Sequence, residues 1–495
     1  MNQSTPWARL QARLSEIETL NQIGSVLHWD QQVTMPAGGA KARATQSAFI
    51  TAERHKRMTA PELSALVEEI AQAPQDDVQR ASVRNLRRQL RRANAMPASL
   101  VRELSVARSE AFPAWAQAKQ DKAFQAFVPY LGRLIELSRQ EIACLQQDGQ
   151  DPYDVLLEPY DPGTTVAQLD PMFERLGGEL SAFLEQLSGR PHPVEPLTGP
   201  FPIAGQKALH AALVPTLGYE MTRGRLDEAE HPFTIDMGPG DTRITTHYYE
   251  DDLLSGLGGT IHETGHGLYE QGLPEALSAT GAGGAAGMGL HESQSRFWEN
   301  VIGRSLPFCE WLAPQVSAHV GVPMDGRTLY AANNRVEPGF IRIFADEVTY
   351  NLHIVVRYQL ERQIFSGQLD VQDLDQAWAD AMQDKLGIRP GSPDKGVLQD
   401  IHWAQAYFGY FPSYTLGNLY AASLARAMEA ALPDMWEQVG RGEFGAILGW
   451  LRTHVHHKAH LQDAPEIMAA ACGEQDHVAN FMAHVRGRHG ALYGV

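Results

Sequence analysis

Cysteine is scarce in this chain: Cys144, Cys309 and Cys472 are the only three in 495 residues. They lie far apart with no C-x-x-C pair, which excludes a thiolate zinc site and a disulfide framework and suits a reducing compartment. No run of about 20 apolar residues is long enough to span a bilayer. The opening residues, Met1-Asn2-Gln3-Ser4-Thr5-Pro6-Trp7, lack the basic stretch and apolar core of a secretory signal. Basic runs with interleaved aromatics are also missing, which argues against a nucleic-acid partner. Internal repeats and low-complexity tails are absent. The expectation is a cytoplasmic protein with neither membrane nor nucleic acid as partner. Its 59 acidic against 41 basic residues, a formal net charge of −18, favour solubility.

What is present is mostly helical pattern. Leu10, Leu14, Ile17, Leu20 and Ile23 recur at spacings of three and four, predicting a helix over 7–27. Pro36 with Gly38-Gly39 breaks it, and a second helix is expected from Ala40 to about Met58. Segment 78–93, rich in Arg and Gln, reads as a solvated helix. Ser99 reads as an N-cap, with helix continuing to Ile142. Helices are also expected over 166–187 and 207–221. Phe233-Thr234-Ile235-Asp236 and Arg243-Ile244-Thr245-Thr246-His247-Tyr248-Tyr249 are β-prone and flank Gly238-Pro239-Gly240-Asp241, which predicts a hairpin. Helices dominate from Asp252 onward. No linker divides the chain, so residues 1–495 are expected to form one catalytic domain. The expected fold is mostly α, a helical body with two lobes around a cleft.

Directly after the hairpin comes His262-Glu263-Thr264-Gly265-His266, an H-E-x-x-H segment. Residues four apart share a helix face, so both imidazoles reach one metal ion. Glu263 is placed to serve as general base toward a water on that ion. A catalytic zinc takes a third protein ligand, and Glu292 in His291-Glu292-Ser293-Gln294 is the candidate. The metzincin arrangement is excluded, because residue 272 is Gly rather than His. Gly265 costs a helix about 1 kcal/mol relative to Ala, which makes sense if neighbouring backbone packs closely there. His454, His456 and His457 have no acidic partner at metal spacing and read as structural.

These motifs occur in family order with others: His231-Pro232-Phe233, Asp241-Thr242-Arg243-Ile244-Thr245, Ile341-Arg342-Ile343-Phe344-Ala345-Asp346 and Gly396-Val397-Leu398-Gln399-Asp400-Ile401-His402-Trp403. Over nearly its whole length the chain resembles the thermostable (Taq-type) metallocarboxypeptidases. The loop before His291 departs from the family pattern in being richer in Gly and Ala. The resemblance implies a mostly α fold with a deep substrate groove, a homodimer, and a zinc or cobalt site. It also implies removal of single residues from peptide C-termini with broad specificity. His262, His266 and Glu292 fall on the metal-ligand positions and Glu263 on the general acid/base position.

An enzyme of this kind must also recognise a terminal carboxylate, a task suited to the Arg fork. Arg342 is the first candidate and Arg243 the second; ion pairs with Asp346 or Asp241 are the structural alternatives. Tyr410 and Tyr414 are candidates for oxyanion stabilisation, and His402 and His231 for hydrogen bonds to substrate. Two other readings stay open: an oligopeptidase with the same zinc core, and a non-catalytic peptide-binding protein.

Overall fold

Thr5 caps helix α1 (Pro6–Val33) by accepting the Ala8 N–H, and the helix runs on through Leu27-His28-Trp29-Asp30. The structure, a computed structural model, describes residues 5–495. Helix α2 (Ala40–Met58) packs back along α1 yet buries none of its own residues. With α3 (Pro61–Ala71) and α4 (Asp77–Ala95) these form an N-terminal lobe. Its hydrophobic cluster is its own: Leu10, Leu14 and Ile17 meet Leu63, Leu66, Val67 and Ile70 of α3 and Val83, Leu86 and Leu90 of α4.

The structure corrects the expectation of a solvated α4, because this helix forms the joint between lobe and body. Arg88 binds Asp463 through two bonds of 2.7 Å. Arg84 donates to the His460 carbonyl, and Asn85 to the carbonyls of Gly281 and His460. Arg91 reaches Glu158 and Arg92 reaches Glu141, each at 2.6 Å. The sequence shows the arginines but not the distant carboxylates that neutralise them.

The body begins with α5 (Ala98–Asp121), α6 (Phe124–Leu145) and the short α7 (Asp154–Leu157). Ser99, expected as a cap, lies inside the first turn of α5, with Pro97 at the cap position. A Thr165–Gln168 capping box starts α8 (Val166–Leu187). Helix α9 (Ile203–Thr216) leads into a three-stranded sheet of β1 (Gly224–Glu228), β2 (Thr234–Asp236) and β3 (Thr242–Thr246). β2 and β3 pair antiparallel, as the hairpin reading expects. β1 was not expected; it pairs parallel to β3 and makes β3 central. Its Gly-Arg-Leu-Asp-Glu sequence holds one apolar residue and carries almost no strand signal.

Further helices complete the fold. Asp252 accepts the Ser255 N–H and starts α10 (Leu253–Gly272), which carries the H-E-x-x-H segment. α11 (Met288–Arg296) runs into a widened π turn, Phe297–Ile302. Then follow α12 (Leu306–Val320), α13 (Gly326–Asn333), α14 (Glu347–Ser366), α15 (Leu374–Leu386) and α16 (Phe411–Ala431). α17 (Met435–Gly440), α18 (Gly445–His454), α19 (Ala464–Cys472), α20 (His477–Val485) and the one-turn α21 (Ala491–Tyr493) close the chain. One large hydrophobic core joins α5 through α20. A cavity of about 360 Å³ opens between the lobe and the Gly281–Ala285 stretch, with Glu18, Asp236 and Glu270 in its lining. Among the described residues no helix is long and apolar enough to cross a membrane.

Because the joint is ionic, Asp463→Asn should cost about 2 kcal/mol, the scale of a hydrogen bond to a charged group. Amide exchange should quicken across residues 5–95 while the body keeps its protection. Unchanged exchange in the lobe would show that Asp463 does not hold the joint.

Candidate metal centre and active site

Three helices meet at two glycines. A Cβ at Gly265 of α10 would stand 2.6 Å from the Gln294 carbonyl oxygen and from Ser295 Cα of α11. A Cβ at Gly417 of α16 would stand 2.4 Å from Glu292 Cγ. Only glycine permits such approach, so α11 lies wedged between α10 and α16. Glu292 Oε2 then sits 3.3 Å from His266 Nε2 and 3.6 Å from His262 Nε2. One potential ligand atom from each of His262, His266 and Glu292 lies within 4.8 Å of the others.

Further partners fix which nitrogens face this point. His262 Nδ1 lies 2.8 Å from Glu299 on the π turn. His266 Nδ1 lies 2.6 Å from His291 Nδ1, and His291 Nε2 lies 2.8 Å from Glu270. For His266 to offer a lone pair at Nε2, its Nδ1–H must donate to His291, which then donates to Glu270. Both imidazoles are therefore oriented with Nε2 toward Glu292. Two such nitrogens and one carboxylate oxygen make a donor set suited to zinc with a position left for water.

The carboxylates here are held ionised despite burial. Burial opposes the charge on Glu292, but Arg296, whose Nε donates to Oε1 at 2.7 Å, and the two imidazoles hold it well below the usual carboxylate range. Burial likewise opposes Glu299, yet Arg296, His262 and Arg304 bring it to about 2. Glu263 differs. It is buried without a cation of its own, and burial raises its pKa. The Thr234 hydroxyl of β2 lies 2.7 Å from Glu263 Oε2 and 3.0 Å from its carbonyl oxygen.

Arg342 is buried, and its partner is Asp400 rather than Asp346, which instead caps α14. Its Nε and Nη2 both donate to Asp400 Oδ1, at 3.0 and 2.8 Å. Asp400 Oδ2 accepts from the fully buried Arg357 Nε at 2.7 Å. Two guanidinium groups thus share one carboxylate, which leaves one positive charge in excess. Arg243 pairs bidentately with Asp241 and lies 4.5 Å over the Trp29 ring, so its charge is already matched. His231 is exposed at the start of the loop before β2. His402 is buried, and its Nε2 lies 3.1 Å from the Tyr414 hydroxyl. Burial, against the pull of Asp400, lowers its pKa to about 3 and keeps it neutral. Tyr410 packs edge-on against Tyr414 and against Tyr160, and burial raises its pKa.

The sequence reading passed over several groups. Glu270 stands four after His266 and Arg296 four after Glu292, a helical signal that was available. Thr234, Glu299 and Glu361 gave none. Glu361 on α14 is buried and accepts from Tyr153, Trp403 and Gly409, which fixes the loop carrying His402 and Tyr410. Burial pushes its carboxyl up to about 7. His456, read as structural, lies 3.0 Å from the Gln294 side chain and braces α11.

If the Glu270–His291 pair orients His266, Glu270→Gln should weaken metal binding by about 10- to 100-fold, the usual effect of removing such a partner. Titration against a competing chelator reads this directly; an unchanged affinity rules the relay out.

A family profile described as carboxypeptidase Taq (M32) metallopeptidase matches residues 9–489. The chain is 40% identical to thermostable carboxypeptidase 1 of Thermus thermophilus over a 510-residue alignment that covers 99% of this chain and 100% of that one. It is 36% identical to carboxypeptidase 1 of Bacillus subtilis, covering 97% of each. Its fold matches the crystal structure of an M32 carboxypeptidase from Deinococcus radiodurans with a TM-score of 0.94 at 34% identity, covering 99% of this chain and 100% of that one. A Pyrococcus furiosus carboxypeptidase structure also gives 0.94, at 35% identity over 98% of this chain and 99% of that one. A helical metal-ligand cluster on the same fold, matched end to end at this identity, leaves one conclusion: the chain belongs to the carboxypeptidase Taq (M32) metallopeptidase family and is a metallocarboxypeptidase.

Proposed function

We propose that this enzyme releases single residues, with broad side-chain tolerance, from the free C-termini of peptides. In this reading His262, His266 and Glu292 hold zinc, with cobalt as a working substitute. The supporting observation is the convergence of those three ligand atoms beside the buried Glu263. When bound, the metal supplies Lewis-acid activation of water and of the scissile carbonyl. Glu263 takes a proton from the attacking water and delivers it to the leaving amine as the C–N bond breaks. Its raised pKa suits both halves of that task. Tyr410 keeps its hydroxyl proton and donates a hydrogen bond to the developing oxyanion. Tyr414 and the neutral His402 stand behind it and set its orientation, and His231 meets the substrate backbone at the rim. Arg342 takes the terminal carboxylate, using the positive charge that Asp400 leaves unmatched, with Arg243 a secondary contact. The same reading makes the protein a cytoplasmic homodimer, in keeping with its three unpaired cysteines.

Incubation with mixed peptides should give a ladder of single-residue losses from free C-termini. A chelator should abolish it, and added zinc or cobalt should restore it. Internal cuts in C-terminally amidated peptides would replace this reading with an oligopeptidase. Glu263→Gln should keep its metal and lose about 10²- to 10⁴-fold in kcat, the range for a general acid–base group. A metal-replete variant with full turnover would remove Glu263 from the role.

A further inference from the structure

Tyr350 stands between the two halves of the site. It lies one turn into α14, behind the Asp346 cap, and is 6% exposed. The Tyr350 hydroxyl accepts a hydrogen bond from Arg342 Nη1 at 3.0 Å. The Arg296 guanidinium carbon lies 4.4 Å from the centre of the Tyr350 ring. Arg296 in turn donates to Glu292 Oε1, leaving Oε2 toward the imidazoles. One aromatic ring therefore touches both the cation that steadies the metal-side carboxylate and the cation at the far end of the site.

We propose that Tyr350 is a positioning residue that fixes the spacing and direction of Arg342 relative to Glu292, and thereby the register in which a peptide C-terminus is cut. This rests on the reading of Arg342 as the anchor for the terminal carboxylate. The hydrogen-bond count of Arg342 supports it. A guanidinium has five N–H donors. Two go to a single oxygen of Asp400, a contact that leaves the group free to tilt about that oxygen. The Tyr350 hydroxyl supplies a third point and removes that freedom. Two N–H groups remain, one on each terminal nitrogen, which is the fork that pairs with a carboxylate. Tyr414 forms a second wall, 4.9 Å from the guanidinium and edge-on to Tyr350. A hydroxyl in this place is also neutral. A second carboxylate would hold Arg342 equally well but cancel the charge excess that attracts the substrate.

The test uses the zinc-loaded enzyme. Tyr350→Phe removes the hydroxyl and keeps the ring against Arg296. KM for free-acid peptides should rise about tenfold, the loss of one charged hydrogen bond. kcat on those peptides and metal content should stay close to wild type. Preference for free acid over amide should fall by a similar factor, and release of two-residue products should appear. Tyr350→Leu, which also removes the ring, should in addition lower metal content. Unchanged KM and strict single-residue release in Tyr350→Phe would overturn the proposal, as would loss of kcat and metal at unchanged KM. Arg342→Ala separates the two readings. If it keeps the free-acid preference, the anchor assignment itself fails. If it loses that preference while Tyr350→Phe retains it, only the role of Tyr350 fails. Should Tyr350→Phe not fold, Tyr350→Leu alone decides: free-acid preference and single-residue release at wild-type levels would overturn the proposal.

Discussion

Everything at the centre of this molecule depends on a backbone crossing. The carboxylate of Glu292 reaches two imidazoles on another helix because α11 can lie against α10 at Gly265 and against α16 at Gly417. A side chain at either place would push the helices apart by more than a packed interior tolerates. The candidate ligand set therefore comes from helices rather than from loops, and its precision is that of helix packing. Asp161 adds to this from outside the site. It accepts the Gly289 N–H and the Ser413 hydroxyl and so ties the start of α11 to α16.

Burying that many ionisable groups imposes a second order on the interior. An unpaired buried charge is costly, and here several buried acids have basic partners. Glu292 and Glu299 share Arg296, Glu270 has His291, and Glu347 is ringed by His484, Arg488 and His489. Glu361 and Asp161 are exceptions that brace loops through neutral donors, and two more exceptions lie at the site. Glu263 has only a threonine hydroxyl, which leaves its proton affinity high. Asp400 faces two arginines, which leaves a surplus cation. These two fall on the residues assigned to proton transfer and to carboxylate recognition.

Much of this was legible in the residues alone. Helix α8 was read to its ends because hydrophobic periodicity is strong there, and the hairpin of β2 and β3 because β-branched runs flank a Gly-Pro-Gly turn. The cluster of His262, His266 and Glu292 was expected from helical spacing and from a Glu on a following helix, and the structure brings these three side chains together. Strand β1 was not legible, since its pairing with β3 comes from tertiary structure and not from its own composition. α4 was misread for a related reason: a run of arginines looks identical whether it faces water or distant carboxylates. Partners such as Thr234, Glu299 and Glu361 are remote in sequence from what they touch. No local pattern announces a hydrogen bond across dozens or hundreds of residues.

The joint at α4 gives the molecule an uneven response to its surroundings. Lobe and body each cohere through apolar contacts, while the contact that α4 makes between them is rich in guanidinium groups on carboxylates and carbonyls. Dissolved salt weakens such pairs where they are partly exposed and leaves apolar cores intact. Warming acts in the opposite sense, since the desolvation penalty of ion pairs falls as temperature rises. Ionic strength and heat thus pull against each other on a single seam, and the firmness of that seam depends on the solvent more than the two cores on either side of it do.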